Sequence, residues 1–192
     1  MERPPLTVLA IAGSLRRGSF NRGLVRAAVE LAPAGVAVEP FDLAPLPLYD
    51  EDVQQRGDPD AVRRLKERIA AADALLVATP EYNYSIPGVL KNAVDWASRP
   101  AATSPLKGKP VAIVGASSGG FGTVRAQLAL RQVFVFTESH CLLKPELTVS
   151  RAREKFDADG NLTDAPTRDG LRAVLAALAA WTRRLRGEPP EP

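Results

Sequence analysis

The feature that most constrains this chain is a regular exchange of short β-like runs for longer segments with helical spacing. Leu6–Ala12 is a continuous apolar run that stops at Gly13-Ser14. Asn21–Leu31 follows, with Leu24, Val25, Ala28 and Leu31 on one helical face, and ends before Pro33. Val36–Phe41 alternates as a second strand, and Ala74–Thr79 and Lys109–Gly115 read as buried third and fourth strands. Cys141–Val149 holds a last, interrupted strand. Of the intervening segments, Asp42–Asp58 is rich in Pro and acids and reads as a long ordered loop. Asp58 is placed to cap a helix with Pro59 at its first position, running to about Ala72. Pro87 opens another, through Trp96, which Arg99-Pro100 ends. A helix to about Phe136 follows the fourth strand. A polar stretch, Ser150–Pro166, precedes a closing Ala/Leu helix that ends near Leu185.

Five β-like runs alternating with five helices imply α/β architecture, a parallel sheet covered on both faces. Of the two common doubly wound orders, five strands favour the flavodoxin-like 2-1-3-4-5 over the Rossmann order. At 192 residues the chain suits a single domain, read as residues 1–186, with residues 187–192 as a disordered tail. In this order strands 1, 3 and 4 are neighbours, so the loops after them meet at one edge. Those loops are Gly13–Asn21, Pro80–Ser85 and Ala116–Gly122.

Composition narrows the chemistry. The formal charge is +3, but Arg and Lys are interleaved with acids, as in Arg63-Arg64-Leu65-Lys66-Glu67-Arg68. Nucleic-acid binding would want them gathered in a stripe, so no nucleic-acid partner is expected. The single cysteine, Cys141, excludes an internal disulfide, and with one histidine, His140, no metal site is expected. The apolar run Leu6–Leu15 has no basic region before it, and no stretch approaches the roughly 20 apolar residues of a membrane span. A soluble, cytoplasmic protein without a membrane partner is expected.

The first loop, GSLRRGSFN, offers the hydroxyls of Ser14 and Ser19, the Arg16 guanidinium and backbone N–H groups at a helix start. Together these form a phosphate cradle. A plain strand–helix turn, with Ser19 or Asn21 as the cap, would use fewer of them. Neither G-x-G-x-x-G nor a Walker loop occurs here. The second loop, TPEYNYSIPG, puts two aromatics and an amide between a strand end and a helix start. Tyr82 and Tyr84 can face a flat heteroaromatic ligand while Asn83 and Ser85 meet its polar edge, or they can serve as core and turn residues. In the third loop, GASSGGFGT, small residues allow close backbone approach to a ligand or simply tight packing.

These segments resemble the NADPH-dependent FMN reductase family, closest to its bacterial quinone, chromate and azo-dye reductase branch. GSLRRGSFN, TPEYNYSIPGVLKNAVDWASRP and the SSGG loop carry the resemblance, which runs from about Leu6 to Glu146. It implies that Ser14, Arg16, Ser19, Phe20 and Asn21 hold the FMN phosphate. Pro80, Glu81, Tyr82, Asn83 and Tyr84 would lie along the isoalloxazine, with Ser117, Ser118 and Gly119 near its far edge. NADPH or NADH would be the co-substrate, passing hydride through FMN to quinones, azo compounds, chromate or free flavin with ping-pong kinetics. No catalytic side chain is required, because the flavin accepts hydride directly. The family also implies a homodimer or homotetramer. Leu46–Gln54 resembles the stretch that reaches a partner's flavin, and Arg125 and Glu146 match a tetramer contact, beside Leu128. The rival readings are a flavodoxin-type electron carrier and a flavin-binding regulator without NAD(P)H turnover.

Overall fold

In a computed structural model of the chain, residues 5–188 are described. Six strands and six α-helices form among them. β1 (Leu6–Ala12), α1 (Phe20–Glu30), β2 (Val36–Phe41), α2 (Glu51–Gln55), α3 (Asp60–Ala71) and β3 (Ala74–Ala78) make the first half. The second half contains α4 (Gly88–Ala97), β4 (Pro110–Ala116), α5 (Val124–Phe136), β5 (His140–Cys141), β6 (Leu147–Val149) and α6 (Ala165–Leu185). The sheet runs β2-β1-β3-β4-β5, parallel throughout, and β6 also pairs with β4. The order 2-1-3-4-5 expected from the sequence is therefore observed, in a flavodoxin-like α/β domain.

The alternation of β1 explains the two cores. Val8 and Ala10 point to one face, where Leu24 and Ala28 of α1 and Leu171, Val174 and Leu178 of α6 pack against them. Leu9 and Ile11 point to the other, against Leu65 and Ile69 of α3, Leu90 of α4 and Leu130 and Phe134 of α5. β3 and β4 are buried on both faces, which is why they read as unbroken apolar runs.

Several boundaries differ from the sequence expectation. The fifth strand is two short pieces, β5 and β6, because the intervening Lys144-Pro145 segment leaves the sheet and Pro145 has no N–H to give to a ladder. Asp58 does not cap α3. Pro59 is the cap residue, and the Asp58 carboxylate instead pairs with Lys66 Nζ at 2.6 Å. Pro87 likewise precedes α4 as its cap residue instead of occupying its first turn.

The Asp42–Asp58 loop contains α2, whose N-terminus is capped by Asp50 accepting from Asp52 N–H. That loop is tied down by α4. Asn92 accepts from Tyr49 N–H at 2.8 Å and donates to Pro47 C=O, and the buried Trp96 donates to the same carbonyl at 2.9 Å. The polar stretch after Ser150 is also structured, folding into a turn bridged between Phe156 and Leu162. Within the segment expected to be a tail, the Glu188 carboxylate faces Arg183 and Arg186. Residues 189–192 lie outside the described residues.

Candidate functional site

β1 and β3 end level, Ala12 beside Ala78, and β4 runs two residues past Val114, the partner of Ala78, so the loops that follow leave the same edge of the sheet. Each loop is joined to the other two. Gly13 N–H donates to Ala78 C=O at 2.9 Å, and a Cβ at Gly13 would lie 3.2 Å from Pro80, so the first and second loops pack backbone to ring. Asn21 Nδ2 donates to Ala116 C=O, and Asn21 Oδ1 accepts from Ala116 N–H, both at 2.9 Å, which staples α1 to the end of β4. Glu81 reaches across to α5 and joins the second loop to the third.

In the first loop, Ser14, Ser19 and Asn21 are buried while Arg16 is exposed. Ser19 is the cap of α1, its hydroxyl accepting from Arg22 N–H at 3.4 Å. A helix leaves its first N–H groups without helical acceptors. Those of Phe20 and Asn21 meet no acceptor among the described residues. The Arg16 guanidinium lies 5.7 Å from the Phe20 ring, within cation–π range and in front of that helix start. Phe20 in turn packs on Phe156 at 5.1 Å. Behind it α1 touches the Phe156–Leu162 turn so closely that Gly23 has no room for a Cβ against Gly160 C=O. The chain after Ser150, which offers no motif, thus supports the helix start.

The second loop is a tight turn. Tyr82 and Ser85 exchange backbone hydrogen bonds at 3.0 Å, and Asn83 and Tyr84 between them both take left-handed backbone (φ 50° and 65°). Asn tolerates that region; Tyr does not adopt it cheaply. Both tyrosines are exposed. Pro80 is buried, and its carbonyl accepts from the Thr79 hydroxyl at 2.8 Å. In the third loop, Ser117 Oγ accepts from Gly119 N–H at 3.2 Å, Ser118 is exposed, and Ser117 N–H continues onto Val149 C=O. Gly115 must be small, since a Cβ there would occupy the space of the Thr123 hydroxyl and Thr79 C=O.

Two members of this cluster, Arg125 and Phe121, were not expected at the site from the sequence. Arg125 donates from Nη1 to Glu81 Oε1 at 2.7 Å, and its guanidinium carbon sits 3.9 Å from the Tyr84 ring centre and 4.6 Å from that of Phe121. Glu81 Oε2 accepts from the N–H groups of Arg125 and Ala126. Burial, the largest influence on the Glu81 carboxyl, works to raise its pKa. The hydrogen bonds from the Arg125 side chain and from the two N–H groups, with the guanidinium charge, outweigh it and hold the carboxyl below its ordinary value. Glu81 therefore commits both its oxygens to α5. Asn21 likewise commits its amide to β4. The signal for Arg125 was legible: a cation in the first turn of a helix opposes the helix dipole and calls for a nearby acid.

Glu146, which the resemblance places with Arg125 at a tetramer contact, faces Arg131 at 3.9 Å and Lys144 at 3.0 Å within the chain. His140 is exposed on β5, at the opposite end of β4 from the loops. Burial pushes the Cys141 thiol up to about 11 against a weaker pull from Arg131, so it carries no thiolate chemistry at neutral pH.

A helix start with open N–H groups, an exposed aromatic turn and a Gly/Ser loop gather at the switch point of a flavodoxin-like sheet, where proteins of this class take their ligands. Residues 6–154 match the model of the NADPH-dependent FMN reductase family, and the chain belongs to that family. It is similar to an NAD(P)H-dependent FMN reductase of Pseudomonas aeruginosa, at 54% identity over 95% of this chain and 98% of the relative. An NADPH:quinone oxidoreductase of Arabidopsis thaliana is 44% identical over 97% and 96%. Among solved structures it resembles FerB, a flavoenzyme NAD(P)H:(acceptor) oxidoreductase of Paracoccus denitrificans. That match has a TM-score of 0.85 and 36% identity, covering 93% of this chain and 98% of FerB. The chain is accordingly an oxidoreductase that uses FMN and NAD(P)H.

Proposed function

We propose that the three-loop edge holds FMN and that the protein reduces quinones with electrons from NAD(P)H. The observation that carries this reading is the pairwise joining of the three loops around a helix start with free N–H groups. Ser14, Ser19, Arg16 and the N–H groups of Phe20 and Asn21 would hold the phosphate. Pro80, Glu81 through its backbone, Tyr82, Asn83 and Tyr84 would line the ring, and Ser117, Ser118 and Gly119 its far edge. Bound FMN would supply the redox chemistry, taking hydride from NAD(P)H and giving electrons to an acceptor. The protein's own residues bind and orient. No side chain here is placed as a dedicated proton donor. An open face of this kind accepts flat molecules broadly, so azo compounds and free flavin are further acceptors, and chromate, a small tetrahedral oxyanion, would take electrons at the same exposed face.

The protein would act as a cytoplasmic homodimer, or a pair of dimers. Among the described residues no helix is long and apolar enough to cross a membrane. Self-association is supported by apolar side chains left in water along α5 and beyond it: Val124, Leu128, Val135, Phe136 and Leu143. Leu46–Gln54, anchored on α4 with Leu48 exposed, is the segment we assign to a partner's flavin. The test is direct. Purified protein should be yellow, release FMN on denaturation, and oxidise NADPH or NADH with a quinone in ping-pong fashion. Released FAD, or no NAD(P)H oxidation with any quinone or flavin by the FMN-loaded protein, overturns the reading.

A further inference from the structure

We infer that the Glu81–Arg125 pair is a positioning bracket, which locks the strained Asn83-Tyr84 turn to the start of α5 so that the second and third loops present one preformed surface. The bracket rests on the FMN reading for its purpose, but on the geometry of the chain itself for its existence.

Three observations converge. First, α5 lacks a cap from its own sequence. Its cap residue, Thr123, makes no side-chain bond to the helix N–H groups, because its hydroxyl accepts from Gln127 Nε2 at 3.1 Å. Glu81, 44 residues away, does that work through Oε2, at 2.9 Å to Arg125 N–H and 3.2 Å to Ala126 N–H. A carboxylate at a helix start is favoured by the dipole, while Arg125 in the first turn is disfavoured. The pair resolves both. Second, the Glu81 side chain is only 10% exposed, so its charge is largely withdrawn from water and the Arg125 guanidinium, 31% exposed, is its charged partner. Third, the turn next to Glu81 holds Asn83 and Tyr84 in left-handed backbone. Such residues persist only where the surroundings over-determine them. The hydrogen bonds between Tyr82 and Ser85 close the turn from within, and the Arg125 guanidinium, over the Tyr84 and Phe121 rings, braces it from outside.

Glu81 thus acts on the ligand surface through α5 and Arg125. The same pair sets what the surface looks like electrically. With the guanidinium already neutralised by Glu81, the ring-side wall offers flat aromatic area and little net charge, whereas Arg16 supplies the charge at the phosphate end.

The variants that test this are Glu81→Gln and Arg125→Lys. The first keeps a carbonyl oxygen for the α5 N–H groups but sets an amide donor against the guanidinium. The second keeps a positive charge for Glu81, but an ammonium group cannot lie flat over two rings. In the FMN-free protein, amide hydrogen exchange of the peptide spanning residues 80–86 should rise at least tenfold in Glu81→Gln, with a smaller rise in Arg125→Lys, while exchange in β1 and β4 stays as in the parent. FMN titration by flavin fluorescence quenching should then show about tenfold weaker binding for Glu81→Gln and about threefold for Arg125→Lys, with an altered visible circular dichroism band of the bound flavin. Parent-like exchange of residues 80–86 in both variants overturns the bracket. Faster exchange with parent-like FMN affinity and dichroism overturns its positioning role. A parent protein that takes up no FMN defeats the cofactor reading, and the exchange measurement still judges the bracket separately.

Discussion

The two ends of the site are built by opposite means. The end proposed to take the phosphate rests on ordinary buried contacts: a capped helix, the Asn21 staple to Ala116 and a supporting turn at Phe156. The ring end rests on left-handed backbone at Asn83 and Tyr84, held from outside by an ion pair and two exposed aromatic rings. One end is stable by default and the other is held in place. The difference suits the tasks proposed for them, since a phosphate needs fixed donors at a helix start, while a planar ring and the acceptors above it need an exposed, shaped wall.

The comparison is broken most severely at Asn21. Asn21→Ala removes two hydrogen bonds and leaves the N–H and C=O of Ala116 unpaired in a buried position. The expected loss of unfolding stability is about 2–4 kcal/mol, from two bonds and the desolvated groups left behind. Urea denaturation of the FMN-free protein measures it. A loss below about 1 kcal/mol would mean that α1 is held elsewhere and that the phosphate end is not the rigid one.

Arg16→Ala separates binding from stability at the same end. Arg16 is exposed, and its guanidinium lies at cation–π distance from the Phe20 ring and beside Gly18. Its removal should leave unfolding stability within about 0.5 kcal/mol, as for most surface substitutions. FMN binding should weaken by about 1.5–3 kcal/mol, the worth of a charge-assisted hydrogen bond. Unchanged affinity in a fluorescence titration takes Arg16 out of the phosphate site.

The same contrast explains what was legible in the sequence. The sheet order followed from period and punctuation, because Gly13-Ser14, Pro33, Pro80 and Pro100 mark ends that backbone chemistry enforces. α2 escaped because five residues without a buried side chain carry no apolar stripe. Asp58 was a sound cap candidate that lost to an ion pair with Lys66, eight residues on, which a local pattern does not contain. At the site, Ser14, Ser19 and Arg16 announced an anion by residue type alone. Asn21 looked like a cap, and its actual partners are backbone groups 95 residues away, which no motif encodes. Glu81 was placed along the ring by resemblance; that its carboxylate is bonded to α5 is visible only once the fold brings the two together. Nothing in the string marks Tyr84 as left-handed, since tyrosine is a poor choice for that region.

That poor choice supplies the mildest test. Tyr84→Gly deletes an aromatic side chain and its contact with Arg125, a cation–π interaction worth about 0.5–1 kcal/mol when exposed. It also releases left-handed strain of order 1–3 kcal/mol, set against the greater freedom glycine brings to the unfolded chain. The three effects nearly cancel, so unfolding stability in urea should stay within about 1 kcal/mol of the parent. Affinity for FMN should still fall, because the wall has lost its exposed ring. A clear loss of stability would show that Tyr84 sits comfortably and that the ring end is as settled as the phosphate end. Parent-like stability with weakened FMN binding is what a turn kept for its ligand, at the expense of its own backbone, must show.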